Sequence, residues 1–192
     1  MGKPFEGEPN LRKGANLVSE RTIKTNQIYK GRIVTVREDT VELKGGIQTE
    51  REIVEHPGAV AVIALKDRKI VLVKQFRTAV SEVLLEVPAG LPKEGETAKE
   101  TARRELLEET GYKAGKLIEV LSGYASPGYS TELIKYFLAT DLTKERQSYE
   151  EDEALEVEEI PLSQCFNLIA TQKIKDNKTI IGIMIAEREM KD

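Results

Sequence analysis

The chain has 192 residues, 40% of them hydrophobic and 32% charged, with a net charge of −4 and one cysteine, Cys165. That length and balance fit one globular domain with at most a small appendage, and they exclude a disordered chain or a basic surface built for polymeric nucleic acid or anionic lipid. A lone cysteine excludes an internal disulfide, and no signal-like or membrane-length apolar run is present, so a cytoplasmic protein is expected.

Residues 1–19 are polar and glycine-containing, as in a frayed end. Thr22 to Ile53 alternates apolar and polar residues, with Gly45-Gly46 as a hairpin signal, which predicts a small antiparallel sheet. Ala59 to Leu65, Lys69 to Gln75 and Val83 to Val87 are short β-branched runs that predict strands of a central sheet. Glu96 to Thr110 lacks Gly and Pro, is rich in helix formers and precedes Gly111, so it predicts a helix with a glycine C-cap. Further strands are expected at Leu117 to Tyr124, Leu133 to Ala139 and Leu155 to Ile160. Two closing helices are expected at Leu162 to Ala170 and Thr179 to Met190. The mixture implies an α/β (α+β) sandwich around one mixed sheet, with the N-terminal sheet as an appendage.

The chemistry-bearing stretch lies in the clear helix. Glu105, Glu108 and Glu109 stand at i, i+3 and i+4, so their carboxylates share one face and repel one another. A hard divalent cation offsets such repulsion, because Mg²⁺ takes a few carboxylates and keeps water and phosphate oxygens as its other ligands. A solvated acidic face is the bland reading, and for the triplet alone it prevails in a Glu-rich chain.

The flanking residues shift that balance. Gly90, Glu96 and Arg104-Glu105-Leu106-Leu107-Glu108-Glu109-Thr110-Gly111-Tyr112 resemble the Nudix box in full, with aromatic Tyr112 where an aliphatic residue is commoner. A chance match is on the order of one in 10⁵–10⁶ for a chain of this length. Gly90 and Gly95 bracket a loop that turns sharply onto the helix, where glycine accommodates φ > 0. Glu96 near the helix start favours the macrodipole and is expected to be structural.

The resemblance implies a metal-dependent hydrolase with the Nudix fold, an α/β/α sandwich. It implies Mg²⁺, with Mn²⁺ or Zn²⁺ as substitutes, held by the Ala89 carbonyl, Glu105, Glu108 and Glu109. Arg104 would hold the carboxylate cluster. Ser126-Pro127-Gly128 followed by Glu132, Val73 to Arg77, and Leu85 to Gly90 are similar to the ADP-ribose pyrophosphatase subgroup. That subgroup implies hydrolysis of ADP-ribose to AMP and ribose 5-phosphate. Arg77 would then meet the phosphates or terminal ribose, Glu86 would line the pocket, and Leu91, Ser126, Gly128 and Glu132 would surround the ribose end.

Arg51 and Glu52 lie in the segment that contacts adenosine in relatives. The lone histidine, His56, is expected to be structural or solvent-facing. Within the acidic run Glu150-Glu151-Asp152-Glu153, the resemblance puts a general base at Glu151 and an assisting metal ligand at Glu153. A solvated charge run is the plain alternative. Residues 1–53 would form a dimerisation segment and 54–192 the hydrolase domain, in a domain-exchanged homodimer with Arg32 and Ile33 against the adenine. A sheet of about thirty residues cannot bury enough surface alone. The competing expectations are a pyrophosphatase for GDP-mannose or another ADP-sugar, and a nucleotide-sensing module without turnover. The intact glutamates weigh against the second.

Overall fold

The computed structural model describes residues 20–145 and 156–190. A three-stranded antiparallel sheet comes first, from β1 (Arg21–Lys30), β2 (Thr35–Glu42) and β3 (Gln48–Glu55) in the order β1-β2-β3. Glycines 45 and 46, both at positive φ, make the β2–β3 turn that the sequence signals.

The main body holds β4 (Ala59–Lys66), β5 (Lys69–Arg77), β6 (Glu82–Glu86), the two-residue β7 (Ala89–Gly90), β8 (Tyr112–Tyr124), β9 (Leu133–Lys144) and β10 (Glu156–Pro161). They form a seven-stranded mixed sheet with the backbone order β10-β5-β4-β9-β8, while β6 pairs with β5 and β7 with β4. Only β4 and β9 run parallel; the other named pairs are antiparallel.

Helices cover both faces: α1 (Ala98–Thr110) on one, α2 (Leu162–Ala170) and α3 (Asn177–Glu189) on the other. The layering follows from the period-2 geometry of β4, in which Val60, Val62 and Ala64 pack toward Leu106 of α1. Ala61, Ile63 and Leu65 pack toward Ile183 and Ala186 of α3. A strand buried on both faces reads as a continuous apolar run, which is why Ala59 to Leu65 shows no alternation. Burying Leu106 alone stabilises by roughly 1.5–3 kcal/mol.

The sequence places α1 two residues too early. Thr97 is the N-cap, and a capping box joins it reciprocally to Glu100; the Thr-x-x-Glu spacing was present in the sequence. Gly111 adopts the left-handed conformation and donates its N–H to the Leu107 carbonyl, as expected of a C-cap. Strand β8 begins at Tyr112, five residues before the expected start, because the chain pairs with β9 directly after the cap. Cys165 of α2 is fully buried in the core, and burial pushes its thiol up to about 11, consistent with a packing residue.

Candidate active site

The site is organised by one guanidinium. Arg104 makes five hydrogen bonds: Nε and Nη2 to Glu96 at 2.8 and 3.0 Å, Nη1 to Glu105 and to Glu108 at 2.8 Å each, and Nη2 to the Leu91 carbonyl at 2.9 Å. These engage every nitrogen of a group with five N–H donors. The bonds Arg104 donates to Glu96, then those to Glu108 and Glu105, hold it well above its ordinary value despite partial burial. Arg104 thus offsets much of the carboxylate repulsion that the helical spacing creates.

Glu96 is structural, as expected, but acts by hydrogen bonding. It precedes α1 and receives bonds from Arg104, the Lys93 N–H and the Thr101 hydroxyl. The bond from Arg104, followed by that from Lys93, lowers its carboxyl to about 2. It therefore locks the box loop to the second turn of the helix through Arg104 instead of acting mainly through the macrodipole.

Glu109 is buried, at 4% exposure, and accepts the Ala89 N–H at 3.1 Å. Gly90 lies beside Glu105: a Cβ built there would fall 2.0 Å from Oε1. The constraint here is close approach and not conformation, since positive φ is found at Gly95 and not at Gly90: a larger residue would have to push the Glu105 carboxylate aside. The loop therefore presses its backbone onto the α1 carboxylates.

Together these groups line a cleft of about 410 Å³ with Arg32, Ile33, Gln75, Arg77, Leu91, Pro92 and Lys93. Arg77 lies at the end of β5 and forms a bidentate pair with Glu86, at 2.8 and 2.7 Å. Glu86 is only 1% exposed and also binds Lys178. Burial raises its carboxyl, but the bonds from Arg77 and Lys178 outweigh that and bring it down.

The expectation that Glu86 lines the pocket is therefore corrected: Arg77 faces the cleft and Glu86 sits behind it as its counterion. Ser126 and Glu132 lie in a second cleft, of about 650 Å³, which also holds Tyr136 and Lys178. Gly128 lines neither cleft, because it sits in the exposed turn before β9. Arg51 is paired at the surface with Glu20, and Glu52 is solvent-exposed, so neither reaches the box cleft. By contrast, Arg32 and Ile33 of the β1–β2 connection line the cleft of their own chain. His56 accepts the Gly58 N–H through Nδ1 at 3.2 Å and so has a structural bond. Glu150, Glu151, Asp152 and Glu153 lie outside the described residues.

Sequence reasoning missed Lys93 and Gln75 of the cleft, and Lys178 behind Arg77. Lys93 was legible as a box-loop cation, 3.8 Å from Glu108. Lys178, 92 residues from Glu86 in the chain, left no local signal.

Donor chemistry suits a hard divalent cation. The α1 carboxylates and the backbone oxygens of a loop brought close by Gly90 are all oxygen donors. Among the described residues no three His, Cys, Asp or Glu side chains form a finished cage. Mg²⁺ needs none, since it retains water and phosphate oxygens as ligands.

Comparison with known proteins agrees with this geometry. The NUDIX domain model matches residues 55–180, and the nucleoside diphosphate sugar hydrolase N-terminal domain model matches residues 20–54. The chain is 42% identical to ADP-ribose pyrophosphatase of Bacillus subtilis (strain 168), over 86% of this chain and 91% of that one. It is equally 42% identical to a protein named methanol dehydrogenase activator of Bacillus methanolicus, over 87% and 92%. It is 32% identical to GDP-mannose pyrophosphatase of Escherichia coli O1:K1 / APEC, over 86% and 94%. A crystal structure described as an ADP compounds hydrolase superposes with a TM-score of 0.82 at 22% identity, covering 93% of this chain and 97% of the other, and shares the fold. With the complete box, the cleft it builds and a family match across more than half of its length, this chain belongs to the Nudix hydrolase family.

Proposed function

We propose that the enzyme hydrolyses the pyrophosphate bond of a nucleoside-diphosphate sugar, with ADP-ribose as substrate and AMP and ribose 5-phosphate as products. The observation that carries this reading is the meeting, in one cleft, of the box carboxylates with two arginines that come from outside the box, Arg77 and Arg32. A diphosphate linkage needs both oxygen-ligated cation chemistry and direct cationic contacts. A divalent cation held by Glu105, Glu108, Glu109 and the Ala89 carbonyl would neutralise the diphosphate and lower the barrier to attack by water.

The chain's own residues do the remaining work. Arg104 holds Glu105 and Glu108 side by side, so their oxygens are oriented before substrate arrives. The Ala89 N–H fixes the carboxylate of Glu109 against the loop. Arg77 uses Nε and Nη2 on Glu86, leaving its Nη1 edge for a phosphate oxygen. Ile33 supplies an apolar contact for the base, and Arg32 a cation near it. Glu151 is assigned as the group that takes the proton of the attacking water, with Glu153 assisting the cation, on the family resemblance.

A homodimer belongs to the same reading. Every residue of β1 is exposed, including Ile23, Ile28 and Tyr29, which a second chain would cover. Among the described residues no helix is long and apolar enough to cross a membrane.

The GDP-mannose pyrophosphatase similarity favours a second reading, in which the same centre accepts another nucleotide sugar. Purified enzyme is incubated with ADP-ribose, GDP-mannose and ADP-glucose, with Mg²⁺ or chelator, and nucleoside monophosphate release is followed. AMP from ADP-ribose at the highest kcat/KM, abolished by chelator, supports the first reading. Preference for GDP-mannose moves the enzyme to the second, and silence on the whole panel overturns both. In Glu151→Gln, a rate loss with cation binding retained supports the base assignment, whereas an unchanged rate removes it.

A further inference from the structure

Four charges run from the wall of the cleft inward in an alternating chain. Arg77 pairs with Glu86, Glu86 with Lys178, and Lys178 with Asp176 at 3.0 Å. Two cations and two anions balance, so the group is neutral as a whole. Yet Glu86 serves two cations at once, with Oε2 shared between Arg77 Nη2 and Lys178. A buried carboxylate with a single cation neutralises that cation closely. One with two partners leaves part of each positive charge uncompensated.

The backbone reinforces the arrangement. The Val87 N–H donates to the buried hydroxyl of Thr179 at 2.8 Å, and that hydroxyl donates to Asp176 at 2.5 Å. Asp176 also caps α3 through the Thr179 N–H at 2.9 Å. Two successive residues of α3, Lys178 and Thr179, thus grip two successive residues of the segment that leads into the box loop, Glu86 and Val87. Gly182, one turn further along, permits this approach: a Cβ there would stand 3.3 Å from both Ile63 and Val87.

We propose that Lys178 is a positioning residue for substrate binding: by sharing Glu86 it fixes the guanidinium of Arg77 and preserves its positive charge for the diphosphate. This rests on Arg77 being a diphosphate ligand, as proposed above. Lys178 lines the second cleft and not the box cleft, and its link to the box cleft runs through Glu86 and Arg77. In its absence Glu86 draws its charge wholly onto Arg77, and the arginine binds phosphate less well.

The test uses the full-length enzyme and four variants: Lys178→Met, Lys178→Arg, Arg77→Ala, and the Arg77→Ala/Lys178→Met double variant. Two quantities are read: kcat and KM for ADP-ribose with Mg²⁺, and the Kd of ADP-ribose in chelator by calorimetry. Lys178→Met is expected to raise KM and Kd about tenfold with kcat within about twofold, and Lys178→Arg to restore most of the binding. The double variant is expected to bind no more weakly than Arg77→Ala alone, because Lys178 acts only through the arginine. Unchanged Kd in Lys178→Met, beside weakened binding in Arg77→Ala, overturns the positioning role and leaves the diphosphate reading intact. Equal binding in Arg77→Ala and wild type overturns the diphosphate reading itself. Additive losses in the double variant, or a fall in kcat with KM unchanged, also overturn the proposal, since a merely structural lysine behaves that way.

Discussion

The box segment and the N-terminal sheet obey opposite rules. From Ala89 to Tyr112 the box carboxylates are held by other residues of the same segment: Glu96, Glu105 and Glu108 by Arg104, Glu109 by the Ala89 N–H, and the helix by its own caps. From Arg21 to Glu55 the backbone is paired, but β1 buries none of its side chains within its own chain. Centres that handle charge can be built locally because electrostatic bonds are short and directional. A sheet that is to bury an apolar face needs area, and three strands alone do not contain enough of it.

That contrast breaks first if the local centre is not what sustains turnover. Glu109→Gln keeps the shape of the most buried box carboxylate and removes its charge, so kcat/KM for ADP-ribose should fall on the order of 10³-fold. A loss below tenfold in a steady-state assay would show that the centre lies elsewhere. Gly90→Ala places a methyl where the Glu105 carboxylate lies, displacing that carboxylate from its bond with Arg104. A loss of about 10²-fold is expected with little change in far-ultraviolet circular dichroism, and near-normal activity would mean that the carboxylate yields freely.

The sheet is tested by mass. Ile28→Asp puts a charge on the exposed face of β1, and sedimentation should move the species from twice 21.5 kDa to 21.5 kDa while the box remains folded. Wild-type protein that already sediments at 21.5 kDa would refute the dimer. The smallest effect concerns acid. The Glu96 carboxyl lies at about 2 in the folded chain, below its ordinary 4.5, so the stability it contributes is complete above 4.5 and lost as pH falls toward 2. In Glu96→Gln the decline of unfolding free energy across that window should be shallower than in wild type, though not absent, since Glu86 and Glu100 are also lowered. Identical slopes would show that Arg104 does not depend on Glu96.

What was legible in the sequence tracks this locality. The α1 carboxylates, Arg104, the Gly111 cap and the strand runs are all short-range patterns, and the fold places them as read apart from the early start of β8. Even the helix start was available in Thr97 and Glu100. The counterion role of Glu86 was not legible, because it depends on a lysine brought in by α3 from the far end of the chain. The position of Ser126 and Glu132 in a second cleft was equally hidden, since the direction of a turn after a thirteen-residue strand is set by tertiary packing.

One small join between the N-terminal sheet and the main body has a mechanical meaning. Val54, at the end of β3, donates its N–H to the Tyr129 carbonyl at 2.8 Å and accepts the Thr131 N–H at 3.0 Å. Two parallel tethers on one residue resist both shear and twist, so the outer sheet and the turn before β9 behave as the two arms of one lever. A ligand that stills the β1–β2 connection would also quiet that turn, and the entropy of ordering both arms would be lost in a single step. Slowed amide exchange at Thr131 on ligand binding would be the signature of that lever.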